Sequence, residues 1–178
     1  MKKLLTLAAL ACLAAPAALA VPPTDHGTQT SSPSASQLCK EQRRAMGMAD
    51  FRALYAPAGN PKAAMDACLS KQVQTASIDA KNAAKACQAE RASMGEQAFA
   101  NKYGTNPNKK NAFGKCVSSE AQEAAEGHQD ATLNAAKKCK AERASLGVQA
   151  FADKYGTNPN KRNAFGKCVS KNAKPATS

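Results

Sequence analysis

The chain has 178 residues, 25 of them Lys or Arg against 13 Asp or Glu, for a formal net charge of +12. Aromatic residues make up only 4% of it, which counts against a stacking platform for single-stranded nucleic acid, since that needs a row of exposed rings. The excess of base points toward anionic partners and also serves solubility.

Lys2 and Lys3 open the chain, an apolar run follows from Leu4 to Ala15, and Ala18-Leu19-Ala20 supplies small residues. This is the pattern of a signal peptide over residues 1–20, cleaved near Ala20, and it predicts export to the periplasm or the outside of the cell. The apolar run is too short to remain as a membrane anchor, and Ala9-Leu10-Ala11 before Cys12 do not fit a lipid-anchoring signal. Residues 21–37 are rich in Pro, Ser and Thr and read as a flexible spacer, with His26 a solvated residue within it.

From Cys39 onward one unit is used three times. CKAERASLGVQAFADKYGTNPNKRNAFGKC, from Cys139 to Cys168, nearly repeats CQAERASMGEQAFANKYGTNPNKKNAFGKC, from Cys87 to Cys116. A more divergent copy, CKEQRRAMGMADFRALYAPAGNPKAAMDAC, runs from Cys39 to Cys68. All three align without a gap. The predicted units are a degenerate repeat 1 (38–71), repeat 2 (84–119), repeat 3 (136–171) and a C-terminal tail (172–178). A duplicated unit in an exported chain carries its own bond, so the expected pairs are Cys39–Cys68, Cys87–Cys116 and Cys139–Cys168. Spacing argues against metal: there is no C-x-x-C, and only His26 and His128 offer ring nitrogens.

Each repeat reads as three short helices. The first carries a cysteine and ends at Gly47, Gly95 or Gly147. The second places Phe51/Tyr55, Phe99/Tyr103 or Phe151/Tyr155 four apart on one face. A third is expected to open at TNPN, with Asn106 or Asn158 capping and Pro107 or Pro159 in the first helical position. Its apolar face would hold Phe113, Cys116 and Val117, or Phe165, Cys168 and Val169; Met65, Cys68 and Leu69 match them in repeat 1. Recurring cysteines, aromatics and an alanine (Ala64, Ala112, Ala164) make a miniature core, too small to hold about 35 residues without a staple.

Between repeats the chain is rich in Ala, Glu, Gln and Lys and free of proline, so helical connectors are expected. Nothing breaks a helix from Pro61 to Met94, whereas Gly127-His128 suggests a bend in the second connector. The fold class is therefore all-α: three tandem disulfide-stapled repeats strung as beads on helical connectors. Charge is uneven along it. Residues 36–71 carry six basic and three acidic side chains, 81–119 seven and two, and 136–174 ten and two, while Glu120, Glu123, Glu126 and Asp130 follow repeat 2.

The stretches YGTNPNKKNAFGKCVS and YGTNPNKRNAFGKCVS resemble a motif found at the C-terminus of, or repeated in, small exported bacterial proteins of unknown function. The resemblance covers repeats 2 and 3 and reaches repeat 1 only through its spacing. It implies secretion and a self-contained stapled unit, with no catalytic residues and no cofactor.

No catalytic constellation emerges. His26 lies in the spacer and His128 in a connector, bonded cysteines are not nucleophiles, and the recurring Glu90 and Glu142 are single carboxylates. A non-enzymatic protein without cofactor is expected. The suggestive feature is the turn before the third helix, Thr105, Asn106, Asn108, Lys109 and Lys110, repeated as Thr157, Asn158, Asn160, Lys161 and Arg162. A helix N-terminus suits an anion, and two basic residues in its first turn oppose the dipole, as a design for stability alone would not. The plain alternative is that Thr, Asn and Pro cap while the lysines stay solvated; repeat 1 keeps only Asn60 and Lys62. Arg43, Arg91 and Arg143 are expected to pack beside the disulfides or pair with acids. The expected partners are anionic polysaccharide, nucleic acid or cell-envelope polymer, engaged with avidity. The alternative is a stapled effector or inhibitor acting on a protein or membrane. Stable membrane insertion is not expected from weakly amphipathic, Ala-rich helices.

Overall fold

The computed structural model describes residues 33–174, and every regular element within them is a helix. The signal segment, Cys12, His26 and the last four residues of the tail lie outside the described residues. α1 (Ala35–Met46) starts within the stretch read as spacer, because Ser34 and Gln37 form a reciprocal capping box. Gly47 then ends α1 and starts α2 (Met48–Tyr55): its N–H donates to Arg43 and its carbonyl accepts from Phe51. Its φ of 84° and ψ of 159° fall in a region that essentially only glycine enters. Gly95 and Gly147 repeat this joint ahead of α4 (Glu96–Tyr103) and α6 (Val148–Tyr155).

The expected connectors are helices without a break. α3 (Pro61–Met94) merges the third helix of repeat 1 with the first of repeat 2. α5 (Ala112–Leu146) does the same for repeats 2 and 3, passing unbroken through Gly127 and His128. α7 (Ala164–Asn172) closes repeat 3. All three expected disulfides form, each across 29 residues with Cα atoms 6.0 Å apart.

The third helices do not open at TNPN. α5 and α7 begin at Ala112 and Ala164, after Asn111 and Asn163, so Asn106 and Asn158 cap nothing. Only repeat 1 behaves as expected of an Asn-Pro pair: Asn60 Oδ1 accepts from Ala63 N–H at 2.9 Å and Pro61 is the first residue of α3.

Cys87 near the end of α3 is bonded to Cys116 near the start of α5, so the two long helices run antiparallel as a stalk. Repeat 2 caps one end. At the other, repeats 1 and 3 meet: α1 packs on α5 and α2 on α7. They share a single core, with Cys39, Met46, Phe51, Ala64 and Cys68 buried alongside Ala135, Ala136, Cys139, Phe151 and Phe165. Repeat 2 has its own small core of Cys87, Phe99, Ala112 and Cys116. The expectation of separate beads therefore holds for repeat 2 alone, and the reason lies in what repeat 1 has changed.

In repeats 2 and 3 a half-buried glutamate ties a tyrosine to a lysine: Glu90 to Tyr103 (2.7 Å) and Lys102, Glu142 to Tyr155 (2.9 Å) and Lys154 (2.7 Å). Repeat 1 has Gln42, Tyr55 and Leu54 at these positions. Gln42 is wholly buried, hydrogen-bonded to Tyr55 Oη and to Gln129 of α5, where a carboxylate would suffer a large desolvation cost. Leu54 packs into the shared core where a lysine would not. Gly166 of α7 leaves room here, since a Cβ would lie 3.2 Å from Leu54 O. Asp50, where the other repeats have Ala98 and Ala150, is buried and takes a bidentate bond from Arg143 at 2.8 and 3.2 Å. At Gln42, Asp50 and Leu54, repeat 1 departs from its siblings where it meets α5 and α7.

Candidate functional site

Each TNPN turn is a small closed structure held by an asparagine. The Asn111 amide donates to Thr105 Oγ1 at 2.7 Å, and its oxygen accepts from the N–H groups of Thr105 (3.1 Å) and Asn106 (3.4 Å). Asn163 does the same for Thr157 and Asn158. Asn108 and Asn160 accept from the N–H of Lys110 and Arg162, forming turns of their own. Neither Asn111 nor Asn163 stood out in sequence; their recurrence five residues after Asn106 and Asn158 was the available signal.

This closure separates the basic residues into two kinds. Lys109 and Lys161 hold left-handed backbone at φ 56° and 52°, conformations that cost a side-chain-bearing residue about 1–2 kcal/mol. Lys109 Nζ donates to Gly104 O at 2.8 Å, and Lys161 pairs with Asp153. Both are therefore occupied in building the turn. A Cβ at Gly104 would come within 2.9 Å of Lys109 Cα, so glycine and lysine belong together. Repeat 1 replaces both, with Ala56 and Pro61, and its turn differs. Lys110 and Arg162, by contrast, are exposed and make no ion pair among the described residues. Asn106 and Asn158 each keep a buried side-chain oxygen without a donor.

The first-turn argument for anion binding does not survive this geometry, because Lys109 and Lys110 precede α5 rather than begin it. Arg91 lies over the Phe113 ring, 5.5 Å from its centroid, and Arg143 over Phe165 at 5.2 Å, in line with a packing role. Glu90 and Glu142 are structural: hydrogen bonds from Lys102 and Tyr103 hold Glu90 below the usual carboxylate range, and a bond from Lys154 does so for Glu142. The same contact with Glu90 holds Lys102 above its ordinary value. These tyrosines and lysines are tied down rather than activated.

What the fold brings together is charge. Basic repeats occupy both ends of the stalk, and between them residues 120–136 of α5 carry Glu120, Glu123, Glu126 and Asp130 and no Lys or Arg, while the facing part of α3 carries Asp79 together with Lys81 and Lys85. The part of α5 from Cys116 to Cys139 is about 35 Å long at 1.5 Å per residue. Along α5 the charge therefore runs basic, acidic and basic in turn. Among the described residues, no helix is long and apolar enough to cross a membrane. No family model, curated protein or solved structure matches this chain, so the resemblance rests on the quoted motif residues alone.

Proposed function

We propose that this is an exported, non-enzymatic protein that links anionic polymers by its two basic ends. The observation that carries the reading is the matching placement of Lys110 and Arg162, both exposed and without an ion pair among the described residues, in the same hydrogen-bonded turn at opposite ends of a stalk whose α5 face is acidic. A single polyanion lying along the molecule would be repelled by the stalk, whereas one strand at each end would not. Linking two strands is therefore favoured over coating one, and avidity strengthens ends that are individually weak. The three disulfides and the signal-like N-terminus support export.

The test is light scattering and sedimentation of oxidised protein mixed with polygalacturonate, a DNA homopolymer or neutral dextran, at low and moderate salt. Salt-sensitive clustering with the polyanions and none with dextran is expected. Lys110→Gln or Arg162→Gln alone should retain binding but abolish clustering, and the double variant should lose both. Binding indifferent to salt, or clustering unchanged in the double variant, would overturn the proposal and turn the search to protein targets.

A further inference from the structure

The stalk carries a groove of about 770 Å³ between α3 and α5. Four carboxylates line it, Asp79 from α3 and Glu120, Glu123 and Asp130 from α5, and Lys174, just beyond α7, is the one Lys or Arg at its border. Asp79 is 5% exposed. His128 Nε2 lies 3.3 Å from its Oδ1, while Oδ2 is buried with no hydrogen-bond donor. The protein itself leaves this carboxylate only partly satisfied.

The floor of the groove points the same way. Ala83, Ala124, Gly127 and Ala131 line it with little more than methyl groups. Gly127 sits inside α5, where glycine is a weaker helix former than alanine. No local demand accounts for it: its φ is not positive and an added Cβ would meet nothing within 4 Å. What the missing side chain leaves is room in the groove.

We propose that this groove binds a linear aliphatic polyamine. Glu120, Glu123 and Asp130 are strung along about 15 Å of helix at 1.5 Å per residue, with Asp79 across from them. Ammonium groups separated by three or four methylenes match charges spread over that length, and the methylenes lie on the alanine floor. A compact ion is a poorer fit, since no three His, Cys, Asp or Glu side chains among the described residues converge closely enough to hold a metal. The site is independent of the basic turns and stands or falls without them.

Isothermal titration of the full oxidised chain with spermine at low salt tests it, with butylamine and magnesium at matched ionic strength as comparisons. One saturable site is expected, at least tenfold tighter for spermine than for either comparison. Glu120→Gln with Glu123→Gln should weaken it at least tenfold. Gly127→Leu should do the same by filling the groove while its thermal melt stays at or above that of the parent, which separates lost space from lost folding. Spermine binding no better than magnesium, or unchanged in either variant, would overturn the assignment.

Discussion

Gln42 of α1 donates its side-chain N–H to the side-chain oxygen of Gln129 on α5, at 2.5 Å, across 87 residues of sequence. Both are buried, and Gln129 in turn donates to the Leu38 carbonyl at 3.4 Å. Gln129→Ala removes partners from two buried groups at once, which predicts a loss of about 1–3 kcal/mol in urea unfolding. Glu126→Ala, on the exposed face of the same helix, should stay within about 0.5 kcal/mol. Equal effects would mean that the amide pair does not hold the repeats together.

Asp50 and Arg143 make a further polar contact across this junction, with Lys140 Nζ 3.7 Å from the same carboxylate. Removing Arg143 leaves a buried acid with one distant, half-exposed partner. Asp50→Ala and Arg143→Ala should each cost about 1–3 kcal/mol, and the double variant less than their sum, because the penalty for an unpaired charge disappears with the pair. Strict additivity in the cycle would exclude a working ion pair.

Repeat 2 should be the part of the molecule most dependent on its disulfide. Its core is four buried residues, two of them the bonded cysteines, whereas repeats 1 and 3 share a core several times larger. Cys87→Ala with Cys116→Ala loses about 3–4 kcal/mol of loop-closure stabilisation in the chain-entropy model. Hydrogen exchange should then show α4 and the Thr105–Asn111 turn opening while α2 and α7 stay protected. Uniform loss of protection would mean that the stalk couples both ends into one folding unit.

The repeat unit was legible because its determinants are local: cysteines, the Phe99–Tyr103 type of pair four residues apart, and glycines whose joints need φ near 80°. The TNPN turn was not, since Asn-Pro is also a helix start, as Asn60-Pro61 proves, and the choice is made by Asn111, which lies beyond the TNPN tetrapeptide. The junction of repeats 1 and 3 was hidden for another reason. Gln42, Asp50 and Leu54 look like decay when repeat 1 is compared with its siblings, and only their contacts with residues 129–169 reveal them as fitted to a partner.

Proton linkage bounds the stable range from both sides. Hydrogen bonds from Lys154 to Glu142, and from Lys161 and Gln149 to Asp153, keep these carboxyls below their ordinary values. Their stabilisation is present above the usual carboxylate range and fades as pH falls through the lowered values. Burial pushes Tyr55 from 10 up to about 12, so its contribution is intact below pH 10 and fades as pH rises toward 12. Burial raises Tyr103 and Tyr155 as well, so absorbance titration should find all three tyrosines ionising above 10, and Tyr55→Phe should remove the component near 12. A Tyr55→Phe protein that still shows it would place the late proton elsewhere.

Restoring the ancestral-looking triad in repeat 1 separates interface from decay. Gln42→Glu with Leu54→Lys rebuilds beside Tyr55 the arrangement that Glu90, Lys102 and Tyr103 make in repeat 2. If the divergence were mere wear, this change would leave the fold alone or strengthen it. In the structure it instead places a carboxylate against the buried Gln129 amide and an ammonium in the core that Leu54 shares with Phe165. Neither group finds water there, so the repeats should part rather than bury them. Small-angle scattering should show a longer particle, and hydrogen exchange should rise in α2 and α7 while the Cys39–Cys68 bond remains intact. A variant as compact and as protected as the parent would show that repeat 1 was not shaped by its partner.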